Sequence, residues 1–269
     1  MRAASPLALL VAIALLAAAA AAAAGAQQPA PPAPAARNAD AAASVPLLGG
    51  DATRLRAGSS WYEIIITDDS STMIVGTHRV VIQEGAFAGA PAWMVVDHRE
   101  SYDPFVAIIA ADTVLLSRDR LVPRRWDAHA GDARLVAAFT NDSVYGGASA
   151  PMARRTFTLG TPPALVTSEG ALDAMLQAQS FHRNWSAVAT MLVADLGGAR
   201  LVPVTLAMAH ETEVEVPAGT FDAWVVHVGT AGTDRWIWID KRTQVVVKTE
   251  TRAPHMRGML VERVLTHQP

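Results

Sequence analysis

The sequence predicts a mainly β protein: a single, strongly curved antiparallel sheet, a half-barrel or open barrel, with one principal helix packed on it or in it. Three observations lead to this fold class. About a dozen short segments rich in β-branched and aromatic residues follow one another along the chain. Turn sequences with Gly, Pro or Asp separate them, and one segment alone has convincing helical periodicity. Many strands joined by short turns around one helix favour a sheet that is curved or closed.

The first half of the domain reads as a series of strands. In residues 92–101, Trp93, Val95, Asp97 and Arg99 alternate with their neighbours, so they share one face of a strand. Gly76 interrupts a long segment and predicts a bulge. The predicted strands are residues 61–67, 73–84, 92–101, 106–116, 121–128, 133–140 and 153–159.

The one predicted helix covers residues 168–179. Ser168 is a good N-cap residue, and Thr-Pro-Pro just upstream stops any strand from running into the helix. Leu172 and Met175 lie on a common face. Residues 187–193 fit either a short helix or a strand.

The last third returns to strands. Residues 211–216 alternate Glu with Thr or Val, which is typical of a strand with one wet face. Pro-Ala-Gly-Thr then forms a tight turn. The remaining predicted strands are residues 202–208, 221–229, 235–240, 244–252 and 259–266.

This C-terminal pattern resembles a bacterial exported-domain family of uncharacterised function. The resemblance rests on Glu-Thr-Glu-Val-Glu-Val-Pro-Ala-Gly-Thr-Phe at 211–221, Trp-Ile-Trp-Ile-Asp at 236–240 and Val-Val-Val-Lys at 245–248. It is clearest over residues 200–252. The sheet of such proteins is similar to the half-barrel of periplasmic lipoprotein carriers and related lipid-binding proteins. The resemblance therefore implies a curved sheet and a lipid-binding relative, with no catalytic residues to carry over.

The N-terminal residues predict export. Arg2 precedes an apolar run, and Ala24-Gly25-Ala26 supplies the small residues of a cleavage site. We expect a signal peptide at residues 1–26, a Pro/Ala-rich disordered tether at 27–52 and a single β domain at 53–269. The predicted location is periplasmic or secreted, with no stable membrane span after cleavage.

Composition excludes several kinds of site. The chain has no cysteine, which removes disulfides, thiol nucleophiles and a lipid-attachment residue. With 22 basic and 25 acidic residues, it lacks the clustered positive charge of a nucleic-acid surface. The eight histidines show no metal-ligand spacing and are interpreted as exposed strand residues. No serine lies in a nucleophile motif. We therefore expect no catalytic residues, no metal and no cofactor.

Aromatic residues on the strands supply the candidate ligand site. Trp236 and Trp238 are two positions apart, so they share a face, while the intervening isoleucines lie on the other. A strand that is apolar on both faces can line a cavity or simply be packed on both sides, and both alternatives stay open. The predicted wall is Trp93, Val95, Trp224, Val226, Trp236 and Trp238, with Leu172 and Met175 as a lid.

Two functions from different classes fit these features. The favoured one is an exported periplasmic protein that binds an apolar molecule, such as a lipid, an acyl chain or the lipid part of a lipoprotein, without catalysis. The alternative is a structural or envelope-assembly module that binds protein partners through a sheet edge.

Overall fold

The computed structural model describes residues 46–47, 50–102, 109–230, 233–252 and 259–267. Within them, a 3-10 turn at Ala52–Arg54 precedes fifteen strands and one α-helix. The elements are β1 (Gly58–Thr67), β2 (Thr72–Phe87), β3 (Ala90–Ser101), β4 (Ile109–Ser117), β5 (Pro123–Ala130), β6 (Ala133–Phe139), β7 (Ser143–Ala150), β8 (Ala153–Gly160), β9 (Leu165–Val166), α1 (Glu169–Gln177), β10 (Ser186–Asp195), β11 (Gly198–Val216), β12 (Gly219–Thr230), β13 (Thr233–Asp240), β14 (Val246–Arg252) and β15 (Leu260–His267).

All fifteen strands belong to one open sheet. Its order is β8-β7-β6-β5-β4-β3-β2-β1-β15-β14-β13-β12-β11-β10-β9, and every pairing is antiparallel except β9 with β10. The sheet is therefore two meanders joined where β1 pairs with β15. Strand β8, at one end, also contacts β11 near the other end, so the sheet curls until its ends approach. The predicted fold class, a curved antiparallel sheet with one helix, is confirmed.

Helix α1 defines the two faces of this sheet. It packs against β3, and every residue from Gly170 to Gln177 is buried. We call the sheet face under α1 the inner face. On β3 it carries Trp93, Val95, Asp97 and Arg99, the alternating set expected from the sequence, because successive side chains of a strand point to opposite faces.

Most local predictions are confirmed. The helix begins at Glu169 with Ser168 as N-cap, and the ambiguous residues 187–193 form part of β10. The register between β1 and β2 shifts opposite Gly76, as expected for a bulge. The predicted strand at 106–116 is observed from Ile109, since residues 103–108 lie outside the described part of the chain.

The packed chain begins before the predicted domain boundary. Leu47, inside the predicted tether, is 1 % exposed, and its N–H donates to the carbonyl of Val188 at 2.7 Å. The N–H of Asp51 likewise donates to the carbonyl of Ala178, just past α1. Leu47 buries its isobutyl side chain in the core, and this burial of apolar area stabilises the packed position. The Pro and Ala residues of the spacer have no comparable apolar side chain to bury. The predicted signal peptide and most of the tether lie outside the described residues.

Candidate functional site

Helix α1 is fixed to the inner face through its N-terminus. The Ser168 hydroxyl accepts a hydrogen bond from the N–H of Ala171 at 3.2 Å, the usual N-cap contact. The next free donor, the N–H of Gly170, reaches across to Asp97 Oδ2 of β3 at 3.0 Å. A carboxylate is favourable at this position because the helix dipole is positive there. Asp97 therefore acts as a second cap supplied by the sheet.

Gly170 permits this close approach. A Cβ at this position would lie 3.2 Å from Asp97 Cβ and Oδ2 and from Val95 Cγ1. Those distances are shorter than ordinary van der Waals contact. The absence of a side chain at Gly170 thus allows the first turn of α1 to rest directly on β3.

Asp97 is the centre of a buried group of charged residues, which we call the charged cluster. Arg99 donates from Nε to Asp97 Oδ1 and from Nη2 to Asp97 Oδ2, both at 3.1 Å, in the bidentate geometry of a strong ion pair. The same Nη2 lies 3.7 Å from Glu169 Oε2. The members of the cluster are His78, Asp97, Arg99, Asp112, Glu169, Asp173, Arg235 and Arg263.

Two further arginines connect the cluster to α1. Arg235 of β13 donates to Glu169 Oε1, and Arg263 of β15 donates to Asp173 Oδ2, each at 2.7 Å. The Arg263 guanidinium also lies 4.5 Å above the ring of Tyr62. One turn of helix thus carries two carboxylates, four residues apart, to two arginines on separate strands.

His78 lies inside this cluster with 1 % exposure. Its Nδ1 is 3.3 Å from Arg263 Nη1, and its Nε2 is 2.7 Å from Asp97 Oδ1. Because arginine can only donate, Nδ1 accepts and the ring proton is on Nε2, facing the carboxylate. Burial lowers the pKa of His78, so the ring is neutral. The interpretation of this histidine as an exposed strand residue is wrong, since it lies on the inner face beneath α1.

The pKa values of the carboxyl groups in the cluster are shifted in opposite directions. Although burial alone would raise them, Arg99 and His78 hold the pKa of Asp97 well below its usual range, and Arg235 and Arg99 lower that of Glu169 to about 2. Asp112 on β4 lies 3.8 Å from Arg99, already the partner of Asp97. Burial and the neighbouring carboxylates raise the pKa of Asp112 to about 7.

These contacts give the cluster a structural role. Each of its three arginines has a carboxyl partner, and Asp112 is the fourth carboxyl group, without an arginine of its own and protonated below about pH 7. Two cavities of about 70 and 50 Å³ border the cluster, enough space for a few water molecules. In the described part of the chain, no group of three or more histidine or acidic side chains could hold a metal ion.

A larger cavity lies at the end of the sheet, where the turns after β4 and β6 and the segment before β9 meet α1. We call it the end cavity; its volume is about 300 Å³. The floor is apolar and buried, whereas Arg120, Thr140 and Asn141 are exposed at its rim. The floor residues are Leu47, Leu121, Phe139, Leu165 and Met175.

Backbone strain is concentrated at this cavity. Leu121 and Ala164, which both line it, have φ angles of +53°. Only two other non-glycine residues in the described ranges have positive φ, Ala88 and Gln244. A bulky residue in the left-handed region costs on the order of 1–3 kcal/mol and tends to occur where function requires a particular backbone shape.

The structure distributes the predicted site residues over several places. Trp93, Val95, Val226 and Leu172 are buried in the core around α1, with Arg118 3.9 Å above the ring of Trp93. Met175 lines the end cavity, the one predicted residue that does so. Trp224 is half-buried in the middle of β12, and Lys241 Nζ lies 4.7 Å from its ring.

Trp236 and Trp238 lie on the outer face of β13. They alternate with Arg235 and Ile237, which lie on the inner face with the charged cluster and the core. The pairing of β12 with β13 has no register shift at Gly229 that would turn them inward. Lys248 lies over the ring of Trp238, and Arg252 lies over the ring of Trp236. The two tryptophans are therefore half-buried side chains of the outer face, on the side of the sheet opposite α1. A role in ligand binding for the eight residues stays a prediction.

Sequence reasoning missed both the charged cluster and the end cavity. One signal for the cluster was available, since Asp97 and Arg99 alternate in phase with Trp93 and Val95 and therefore share the buried face. For the end cavity the signal was weaker: Pro162 and Pro163, recognised as breaking the strand, form part of its wall.

Comparisons with known proteins identify a family and assign no activity. A family model described as a protein of unknown function, DUF3108, matches residues 62–261. The expected membership of a family of uncharacterised function is confirmed. No curated protein matches the sequence. Among the described residues, none of the helices has the length and apolarity to cross a membrane.

Solved structures are similar at low identity. A β-barrel-like protein of the domain of unknown function DUF1849 from Brucella abortus is 12 % identical, with a TM-score of 0.49, over 80 % of this chain and 98 % of its own. A predicted exported protein with a YmcC-like fold from Bacteroides fragilis is 8 % identical, with a TM-score of 0.35, over 80 % and 96 % of the two chains. A predicted lipoprotein from Parabacteroides distasonis is 10 % identical, with a TM-score of 0.33, over the same shares.

Proposed function

This chain belongs to the DUF3108 family of unknown function, and we propose that it binds an apolar molecule, such as a lipid or an acyl chain, without catalysing a reaction. The end cavity is the observation that carries the proposal. Its volume of about 300 Å³ is at the lower limit of the roughly 300–1,000 Å³ typical of small-molecule sites. A buried apolar floor below a polar rim is also the usual composition of such sites.

The charged cluster supports a binding rather than a catalytic role. Asp97, Glu169 and Asp173 are each paired with an arginine, and the Ser168 hydroxyl caps α1. A general base or nucleophile has to be free to meet a substrate, whereas these groups hold a helix. The helix in turn supplies Met175 to the cavity.

An extracytoplasmic location forms part of the proposal. It is supported by the positive charge, apolar run and small-residue cleavage site at residues 1–26. A protein that shields an acyl chain from water is useful in an aqueous compartment between membranes.

The proposal is tested with N-phenyl-1-naphthylamine, an uncharged apolar dye that fluoresces more strongly away from water. We expect saturable binding near one dye per chain. Val122→Trp should abolish it, because Val122 is a half-buried wall residue of the end cavity and an indole there fills the space. Val136→Trp, at a half-buried position of β6 outside the cavity, is the matched control and should bind normally. Absence of saturable binding, or equal loss in both variants, would refute the proposal.

The alternative, a module that binds protein partners through a sheet edge, is favoured by β8. This eight-residue strand pairs with β7 alone among the described strands, and residues 153–156 are exposed. A partner strand could add there. However, Arg154 and Arg155 provide the charge with which proteins discourage such pairing. Native mass spectrometry of protein purified from its own cells separates the two functions: a bound lipid supports the cavity, and a stoichiometric protein partner without lipid supports the edge.

A further inference from the structure

We propose that the ligand of the end cavity is a single acyl chain with an anionic headgroup, a carboxylate or a phosphate, held at the rim by Arg120 and Arg124. This inference rests on the proposed function and specifies the ligand's chemistry. Arg120 is exposed in the turn between β4 and β5, and Arg124 is half-buried in β5. Both line the cavity, next to its apolar floor.

Within the described ranges, the side chains of these two arginines have no protein partner. Neither guanidinium group forms an ion pair or a hydrogen bond with those residues. The arginines around them are occupied: Arg118 pairs with Glu84, and Arg125 and Arg134 pair with Asp127. The N–H donors of two guanidinium groups at one opening are thus available to a ligand.

The lining of the end cavity contains no aspartate or glutamate, although the whole chain has more acidic than basic residues, 25 against 22. Asp119 and Asp142 each adjoin a lining residue in the sequence, but neither lines the cavity. The neutral hydroxyl groups at the rim already donate hydrogen bonds within the protein. Thr140 Oγ1 donates to the carbonyl of Ser143, and Thr161 Oγ1 donates to the carbonyl of Thr140. The lining of the opening therefore offers two guanidinium groups and no carboxylate above an apolar floor.

An anionic amphiphile complements both parts of this site. Carboxylate and phosphate oxygens accept two parallel hydrogen bonds from a guanidinium group, a geometry specific to arginine. The chain below gains by leaving water in proportion to its buried apolar area. A volume at the lower limit for ligand sites favours one chain rather than a lipid with several.

The experiment measures displacement of N-phenyl-1-naphthylamine at pH 8 by three twelve-carbon compounds: dodecanoic acid, dodecyl phosphate and 1-dodecanol. We expect at least one of the two anions to displace the dye at about one-tenth of the alcohol concentration, the result of about 1.4 kcal/mol from the arginines. Whichever anion binds more tightly identifies the headgroup. In Arg120→Gln/Arg124→Gln, the anions should weaken to the level of the alcohol while the alcohol is unchanged.

The control is Arg154→Gln/Arg155→Gln, which removes the same charge from exposed positions on β8, outside the cavity. It should keep the preference for anions. Loss of the preference in this control would attribute it to net charge and overturn the inference. Equal displacement by acids and alcohol in the unaltered protein would also overturn it, while leaving the cavity as an apolar site. Failure of the dye itself to bind would instead refute the proposed function, and the inference with it.

Discussion

Asp112→Asn should stabilise the protein at alkaline pH and much less at acidic pH. Asp112 is the member of the charged cluster without an arginine of its own, and its pKa is raised from 3.8 to about 7. Above pH 7 the folded protein holds a largely buried negative charge, 21 % exposed, near Asp97 and Glu169. Asparagine has the same shape and no charge, so it removes this cost.

The magnitude follows from the two pKa values. Between about pH 4 and pH 7 the folded state holds a proton on Asp112 that the unfolded state has lost. The contribution of Asp112 to stability therefore falls as pH rises through this window and is constant above it. Since one pKa unit corresponds to about 1.4 kcal/mol, the full cost approaches about 4 kcal/mol above pH 7. Between pH 5 and pH 8, the free energy of unfolding of the variant relative to the unaltered protein should rise by about 2–3 kcal/mol.

Urea unfolding followed by tryptophan fluorescence at pH 5 and pH 8 measures this difference. His78 titrates in both proteins, so its contribution cancels in the comparison. Asp127→Asn is the control, because hydrogen bonds from Arg134 and Arg125 lower the pKa of that aspartate. The free energy of unfolding of this control variant should fall by up to about 1 kcal/mol at pH 8, as expected for the loss of an exposed ion pair. If Asp112→Asn were less stable at pH 8 relative to the unaltered protein than at pH 5, Asp112 would be an ionised partner of Arg99 and the reasoning would be refuted.

Two further substitutions test how α1 is held. Gly170→Ala should lower the free energy of unfolding by about 1–3 kcal/mol, because the new Cβ crowds Asp97 at 3.2 Å and outweighs the higher helix propensity of alanine. Gly160→Ala, where an added Cβ meets no atom within 4 Å, should be nearly neutral, and equal effects would remove crowding as the cause. Asp173→Ala should cost about 3–5 kcal/mol, because it leaves Arg263 buried without its carboxylate. A loss under 1 kcal/mol in thermal or urea unfolding would mean that water or another carboxylate replaces Asp173.

The local elements could be predicted because their signals are local. The N-cap Ser168 marks the start of α1 in the sequence as in the structure, and the alternation in β3 assigns its inner residues correctly. The pairing of β1 with β15 is different, since Tyr62 and Leu265 are about 200 positions apart and no local pattern connects them. The number of strands and their short turns favoured a curved sheet, and the resemblance to an exported domain supported it, but neither gave this long-range pairing.

The site was harder to predict for a physical reason. A charged residue is usually exposed, so no single member of the charged cluster signals its own burial in the sequence. Burial of His78 becomes favourable only when Asp97 and Arg263 are present together, and those partners come from β3 and β15. The face of Trp236 and Trp238 was undecided for a related reason: β13 is apolar on both faces, and only the position of Arg235 under α1 distinguishes them.

The pairing of the first strand with the last also has a kinetic consequence. Each meander can form progressively from its own hairpins, but β1 must wait for residues 260–267 before its second edge is covered. Closing a loop of this length carries an entropic cost that contacts repay only at the end, so we expect slow folding that is completed by the C-terminus. A chain shortened by its last strand would lose the backbone pairing that joins the two half-sheets, leaving α1 and the contact of β8 with β11 to hold them together. Because Trp61 of β1 lies opposite His267 of β15, one of the first strands to be synthesised stays unpaired on one edge until the last described residues arrive.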